Sequence, residues 1–340
     1  MQRINQIFKI MKKNLRNILA VGLGLMTTVA FAQDWNVDSR TRIDMSGDND
    51  YMSTDQRVTV GTAWGGSDWG IHVSSDVNYT LGNDDAASMS IYEAYAMADL
   101  MGFASLTVGR QALDLGSGAL VSSRQWSADR TTWEGMTFGM DLGMADVMVG
   151  YHNQNSGDDA TGSNMWINAS GDFSGWDVNF LYMTKEGDDD AAMGIDISGS
   201  VMGAGIHASM NTDYDGDEMR VIGLTYDVND DMGVSVSQTV YGDDAGFDMA
   251  GTNMSGADWS NGQMAYLNGG DEMISAGLTY NLSGISLGAT MHQVTGSDDS
   301  ERDVTEISLG YDLGNNAGVS LHMADDNDVN YMWVTLNVGL

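Results

Sequence analysis

The chain of 340 residues contains no cysteine and no proline. Without cysteine there is no disulfide and no thiolate metal site, so neither cross-links nor a thiolate cluster holds the fold. At average usage of about 5%, a chain of this length would carry roughly 17 prolines. Their absence fits a chain built almost wholly of paired strand, where each proline would delete a ladder bond. Positive charge is nearly as scarce: beyond residue 32, nine Lys and Arg stand against 48 Asp and Glu. That balance excludes nucleic acid as a partner, because affinity for it rests on cations that neutralise phosphates. Long apolar runs are missing too, and no segment reaches the ~18 apolar residues of a membrane-spanning helix.

One shorter apolar run, Ile18 to Phe31, follows the basic residues Arg3, Lys9, Lys12, Lys13 and Arg16 and ends in Ala30-Phe31-Ala32. This pattern is that of an export signal with a small-residue cleavage site. Residues 1–32 are therefore expected to be a cleaved signal peptide and 33–340 a single domain. No cysteine follows the cleavage pattern, so an amino-terminal lipid anchor is not expected.

What the rest of the chain has in abundance is a period of two. From Trp69 to Tyr79, the residues Trp69, Ile71, Val73, Val77 and Tyr79 share one parity, while Gly70, His72, Ser74, Asp76 and Asn78 take the other. The same alternation recurs from Trp35 to Met45, Trp176 to Tyr182, Met193 to Val201, Ile274 to Leu282 and elsewhere, always with a second face of small polar residues. Connections alternate as well. Tight turns such as Met101-Gly102, Gly143-Met144, Ser174-Gly175 and Ser283-Gly284 are interleaved with longer acidic stretches such as GNDDAA, NSGDDATG and GSDDSE. Short turns on one rim and long loops on the other are the layout of an outer-membrane barrel.

The expected fold is all-β: a transmembrane antiparallel β-barrel of about 18 strands, with 16 as the alternative, short periplasmic turns and longer acidic extracellular loops. Aromatics of outward parity fall near the strand ends, with Trp69, Tyr226, Tyr280 and Tyr311 toward the turns and Tyr79, Tyr151 and Tyr182 toward the loops. Such rows match the interfacial girdles of barrels in lipid. The final strand, with Met332, Val334, Leu336, Val338 and Leu340 on its apolar face, resembles the terminal signal read by the outer-membrane assembly machinery.

A barrel this wide is expected to hold water. Arg40, Arg42 and Arg57 take inward parity on the first two strands, and Asp76, Asp146, Asp177, Asp196, Glu306 and Asp312 do so elsewhere. The five histidines, His72, His152, His207, His292 and His322, fall on five strands and are expected to be uncharged polar lining rather than a metal site. The loop Asp213 to Glu218 departs from the calcium-loop pattern, with Leu224 where a bidentate Glu belongs. No metal site and no cofactor are expected beyond loosely bound Ca2+ or Mg2+ at the acidic loops. No nucleophile has an adjacent base and orienting acid, so an enzyme is not expected.

The segment Gly109 to Met136 holds three of the nine cations, Arg110, Arg124 and Arg130. Within it, Ala112 to Thr131 is one of the two longest loops, the other running from about Gly242 to Gly270. Folded inward, it would pack Leu115, Ala119, Leu120, Val121 and Trp126 on the wall and place Arg124 and Arg130 at a constriction opposite acids. Arg110 shares parity with the outward Leu106 and Val108. It needs a bulge to turn inward, with Glu93 as its partner if it does.

The motifs SRTRID, YEAYA at Tyr92 to Ala96, and GRQALDLGSGALVSSRQW with RTTWEGM resemble the alginate-export and related porin family of Gram-negative outer membranes, over about residues 33–140. The resemblance implies that Arg40, Arg42, Glu93, Arg110, Gln111, Trp126 and Arg130 line or brace a pore. The family's polyanion exporter has a strongly basic tunnel, and this lumen has few cations, so alginate itself is not the expected cargo. The expected function is a passive outer-membrane porin for small hydrophilic solutes or ions, leaning toward cations. The alternatives are a structural or adhesive barrel with divalent-cation-binding loops, and a substrate-specific oligosaccharide channel. Expected partners are outer-membrane lipid and lipopolysaccharide, the assembly machinery and the solutes themselves, with a homotrimer left open.

Overall fold

The computed structural model describes residues 33–47, 52–82, 87–125, 130–154, 163–187, 189–242, 247, 267–314, 316–327 and 329–339. The assigned signal peptide, Trp126 and Leu340 lie outside them. The chain forms β1 (Gln33–Asp44), β2 (Ser53–Gly65), β3 (Trp69–Thr80), β4 (Ser88–Asp99), β5 (Ser105–Gln111), β6 (Trp133–Asp141), β7 (Asp146–Gln154), β8 (Ser163–Asp172) and β9 (Trp176–Lys185). The second half forms β10 (Ala191–Val201), β11 (Ala204–Thr212), β12 (Glu218–Asn229), β13 (Met232–Tyr241), β14 (Glu272–Leu282), β15 (Ile285–Thr295), β16 (Glu301–Gly314), β17 (Ala317–Asp326) and β18 (Val329–Gly339). Each strand pairs antiparallel with its sequence neighbours, and β1 also pairs with β18, so the sheet closes on itself. The described residues form eighteen strands, not sixteen. Closure leaves no edge with unpaired N–H and C=O groups, the condition lipid imposes on any sheet.

Local chemistry sets the reversals. Met101, Ser174, Met202 and Ser283 have φ of 59°, 61°, 53° and 49°, each followed by a glycine of positive φ. Two consecutive residues of positive φ make the turn whose twist matches that of the flanking strands. The outer surface is apolar, as the parity predicts. Ile71, Val149, Phe180, Ile222 and Leu278 are exposed on it, with Trp69, Tyr226, Tyr280 and Tyr311 toward the turns and Tyr79, Tyr151 and Tyr182 toward the loops.

The inner surface departs from the expectation of a uniformly small, wet face. Toward the loops it turns apolar and buried, with Trp133, Trp166, Leu181, Met183, Ala192, Met219, Met273, Val294 and Val304 in one cluster. Leu115, Ala119, Leu120 and Val121 of the first long connection, and Phe247 and Leu267 of the second, complete it. The cause is that both long connections bring apolar side chains inside the barrel, and the wall supplies matching surface. The polar lining is thus confined to the turn half and to part of the circumference.

β5 has only 7 residues because the chain leaves the wall after Gln111 and runs inward. Beside it, β4 carries a bulge: Ser74 pairs with Glu93, but Ser75 pairs with Ile91, so Tyr92 is the extra residue. The bulge points Tyr92 and Glu93 to the same, inner side of the sheet.

Candidate functional site

The connection between β5 and β6 crosses the lumen and is fastened at three places. At its tip, the Ser117 N–H donates to Asp196 Oδ2 on β10 at 2.9 Å, and the Ser209 hydroxyl of β11 donates to Oδ1 of the same carboxylate at 2.6 Å. Midway, Leu115 and Val121 form a two-residue bridge, and Leu120 and Val121 are 1% and 0% exposed against the wall. Burial of these three side chains supplies on the order of 1.5–3 kcal/mol each. Asp114 closes the loop by accepting the Ser123 N–H and hydroxyl, both at 2.7 Å.

The third fastening is on the opposite wall. Arg57 donates through both terminal nitrogens to the Gln125 carbonyl at 3.2 Å, and the Gln125 amide reaches the Tyr92 hydroxyl at 2.6 Å. Arg130 is ion-paired with Asp76 of β3, lies 3.3 Å from the Tyr92 ring centroid and donates to Thr59 at 3.1 Å. This corrects the expectation that Arg130 faces carboxylates across a gap. Its charge is spent on Asp76, because β3 places that residue beside Thr59, directly beneath the returning loop.

Arg57 shares this wall with two further arginines, Arg40 and Arg42. Arg40 and Arg57 are directly opposite in the β1–β2 register, and Arg42 is opposite Asp55. All three point inward and are largely buried, at 7%, 7% and 9% exposure for Arg40, Arg57 and Arg42. Arg40 lies in the repulsive field of Arg42 and Arg130, and Arg57 in that of Arg40 and Arg130, while Asp76 acts against the repulsion at both. Arg124 differs from the others in its backbone, which has φ of 50°. Its Nε is buried with no hydrogen-bond partner among the described residues. A non-glycine residue in the left-handed region is strained by roughly 1 kcal/mol or more, and such strain gathers at functional positions.

Glu93 faces the lumen, as its motif implies, but its partners are His72, at 3.5 Å, and the Ala112 N–H, at 3.1 Å. Gln111 faces it too, with its amide 3.2 Å from His152 Nε2, while the Trp166 indole donates to Nδ1 of that ring. Arg110 does not. It keeps outward parity, pairs with Glu134 directly opposite on β6 and donates to the Ile91 carbonyl at 2.7 Å. The bulge that could have turned it inward lies on β4 instead, and Glu93 is not its partner. Assignment of Arg110 to the pore lining is thereby overturned.

Two of the histidines share a partner. His292 and His322 converge on one carboxylate, Glu306, at 3.0 and 3.6 Å, and Ser275 bonds to His292 Nδ1 at 2.7 Å. Residues on β15, β16 and β17 meet because every second side chain of adjacent strands lines the same wall. Among the described residues, no group of three or more His, Cys, Asp or Glu has the geometry to hold a metal ion. In the acidic loop after β11, Asp213 accepts the backbone N–H groups of Asp215 and Asp217, so its carboxylate serves the turn.

No family model matches the chain, and no curated protein matches it. Solved structures do. OpdK of Pseudomonas aeruginosa superposes with a TM-score of 0.73 at 12% identity, over 92% of this chain and 100% of that one. The fold is that of the Occ outer-membrane channels. OccK8 (OprE) of the same organism gives 0.72 at 11% identity, over 91% and 98%. OccK2 (OpdF), solved in complex with glucuronate, gives 0.72 at 12% identity, over 91% and 96%. At these identities the likeness speaks for architecture alone.

Proposed function

We propose that the protein is a passive outer-membrane porin of a Gram-negative bacterium, admitting small hydrophilic solutes and ions through the space left between the inward loop and the barrel wall. One observation carries the reading: the surface is inverted relative to a soluble protein, with an exposed apolar outer belt and charged and hydroxyl side chains inside a closed barrel. Lipid outside and water inside is the arrangement that such a distribution satisfies.

Within the channel, the arginine wall of β1 and β2 and Arg124 form the positive side of a transverse field. Asp146, Asp177 and Asp196 border a cavity of about 520 Å³ beneath the loop tip and form part of the negative side. The acids outnumber the cations, so the net field favours small cations, while the arginine wall offers a local rest for an acidic group on a passing solute. The Occ channel that holds glucuronate supports the second part of this reading. The resemblance of motifs in residues 33–140 to alginate-export porins belongs to the same proposal, without alginate as the cargo. Proteoliposomes bearing the refolded protein should take up small sugars and amino acids at rates that fall with solute size. Liposomes as tight as protein-free ones would instead favour the structural or adhesive barrel.

A further inference from the structure

The tip of the inward loop touches the far wall through backbone groups that have no slack. Gly116 has φ of 58°, and a Cβ at that position would collide with Asp196 Oδ2 and Asn179 Nδ2. Ser117 donates its N–H to Asp196, and its hydroxyl lies 3.3 Å from the Ser209 hydroxyl. Ser209 is itself fixed by donating to Asp196 and accepting from Asn211 at 2.7 Å. Asn179 reaches the same carboxylate at 3.4 Å. Asp196 is therefore the hub of the contact, joining β9, β11 and the loop.

Two cavities flank this contact, of about 520 and 420 Å³, and they share Ser117, His207 and Ser209 as their common boundary. The loop tip is the partition between them. Apolar burial at Leu115, Leu120 and Val121 holds the loop inside the barrel, but it is nondirectional and does not fix where the tip ends. A carboxylate accepting a backbone N–H is directional.

We propose that Asp196 is a positioning residue that latches the tip of the loop to the wall and thereby sets the bore of the channel, and that release of this latch joins the two cavities into one wider passage. The proposal rests on the porin reading. Its chemistry is that of a hydrogen-bonded strut, with no part in contacting the solute.

The protein has no native cysteine, so the latch can be tested by cross-linking. The Ser117 and Ser209 hydroxyls lie 3.3 Å apart, so Ser117→Cys/Ser209→Cys places two facing thiols for oxidation to a disulfide. Single channels of the wild type, Asp196→Ala, Asp196→Asn, the double-cysteine variant and the latter combined with Asp196→Ala are recorded in planar bilayers. Asp196→Ala should raise the time spent in a larger-conductance state by roughly tenfold or more, the loss expected for one charge-assisted hydrogen bond. The reversal potential should move no further than removal of one carboxylate accounts for. Oxidation of the combined variant should return its conductance to the wild-type level, and reduction should release it again. A purely structural role for Asp196 would not respond to the cross-link. Unchanged conductance and noise in folded Asp196→Ala and Asp196→Asn would overturn the latch while leaving the porin reading intact. A silent wild type would overturn the porin reading. In that case, failure of the folded Ser117→Cys/Ser209→Cys variant to cross-link under mild oxidation would overturn the docked tip separately.

Discussion

Arg130 and Asp76 form an ion pair in which each side chain is only 5% exposed, and it joins the returning limb of the inward loop to β3. A buried pair is expensive to break from one side, because the survivor is left charged and unpaired.

Arg130→Ala is therefore expected to destabilise the docked loop by about 3–5 kcal/mol, and Asp76→Ala by a similar amount. The double variant should fall well short of the sum. Limited proteolysis of the loop in detergent, run as a double-mutant cycle, measures the coupling. Additive effects would show that the pair does not carry the docking.

Arg124 separates charge from structure. Arg124→Ala removes a cation whose buried Nε has no hydrogen-bond partner among the described residues, so reversal potentials should shift toward cation preference with little change in thermal stability. Arg124→Gly should shift them equally and also stabilise the loop by about 1 kcal/mol, since glycine accepts the left-handed backbone without strain. Equal stability of the glycine and alanine variants would remove strain from the account. An unchanged reversal potential in both would place Arg124 away from the path of ions.

On the outer surface, Arg110 and Glu134 are 27% and 45% exposed and stand on the apolar belt near its loop-side rim. Arg110→Ala should destabilise the folded barrel by about 1–2 kcal/mol, between the values for a lone charge near the interface and at the midplane. Arg110→Leu/Glu134→Leu should recover most of that loss. Urea titration in lipid vesicles distinguishes the two. If the leucine pair is no better than the single alanine, the surface is not facing hydrocarbon.

Backbone crowding beside the bulge gives a fourth expectation. Gly109 has φ of 134°, and a Cβ there would meet the Ala94 carbonyl and the Tyr95 Cα across the β4–β5 pairing. Gly109→Ala should lower the yield of the compact, heat-modifiable form on refolding, whereas Gly102→Ala, at an open turn with nothing within 4 Å, should lower it less. Equal yields would argue against tight β4–β5 contact at this level.

Much of the architecture was legible in residue alternation. Trp69 to Tyr79 shows both faces of a strand, and Met101-Gly102 or Ser283-Gly284 mark reversals, because parity and turn chemistry are local properties. The sequence left the course of the loop open, and its apolar residues Leu115, Leu120 and Val121 marked only the surface that an inward course would bury. Contacts between strands were not legible. Glu134 as the partner of Arg110, and the meeting of His292 and His322 at Glu306, depend on register, which no single strand reveals. The bulge at Tyr92 hid a second inward residue, since one extra residue breaks the parity used to find it. The apolar loop-side half of the lumen was missed for a related reason: Leu181 and Met183 alternate correctly, but what they face is set by the loops.

The most direct measurement of the central claim is the reversal potential of single channels in a planar bilayer under a potassium chloride gradient. The account predicts stepwise conductance with a reversal potential of the sign given by cation preference, shifted further that way in Arg124→Ala. A folded barrel that inserts and conducts nothing, or one that selects chloride over potassium, would contradict it.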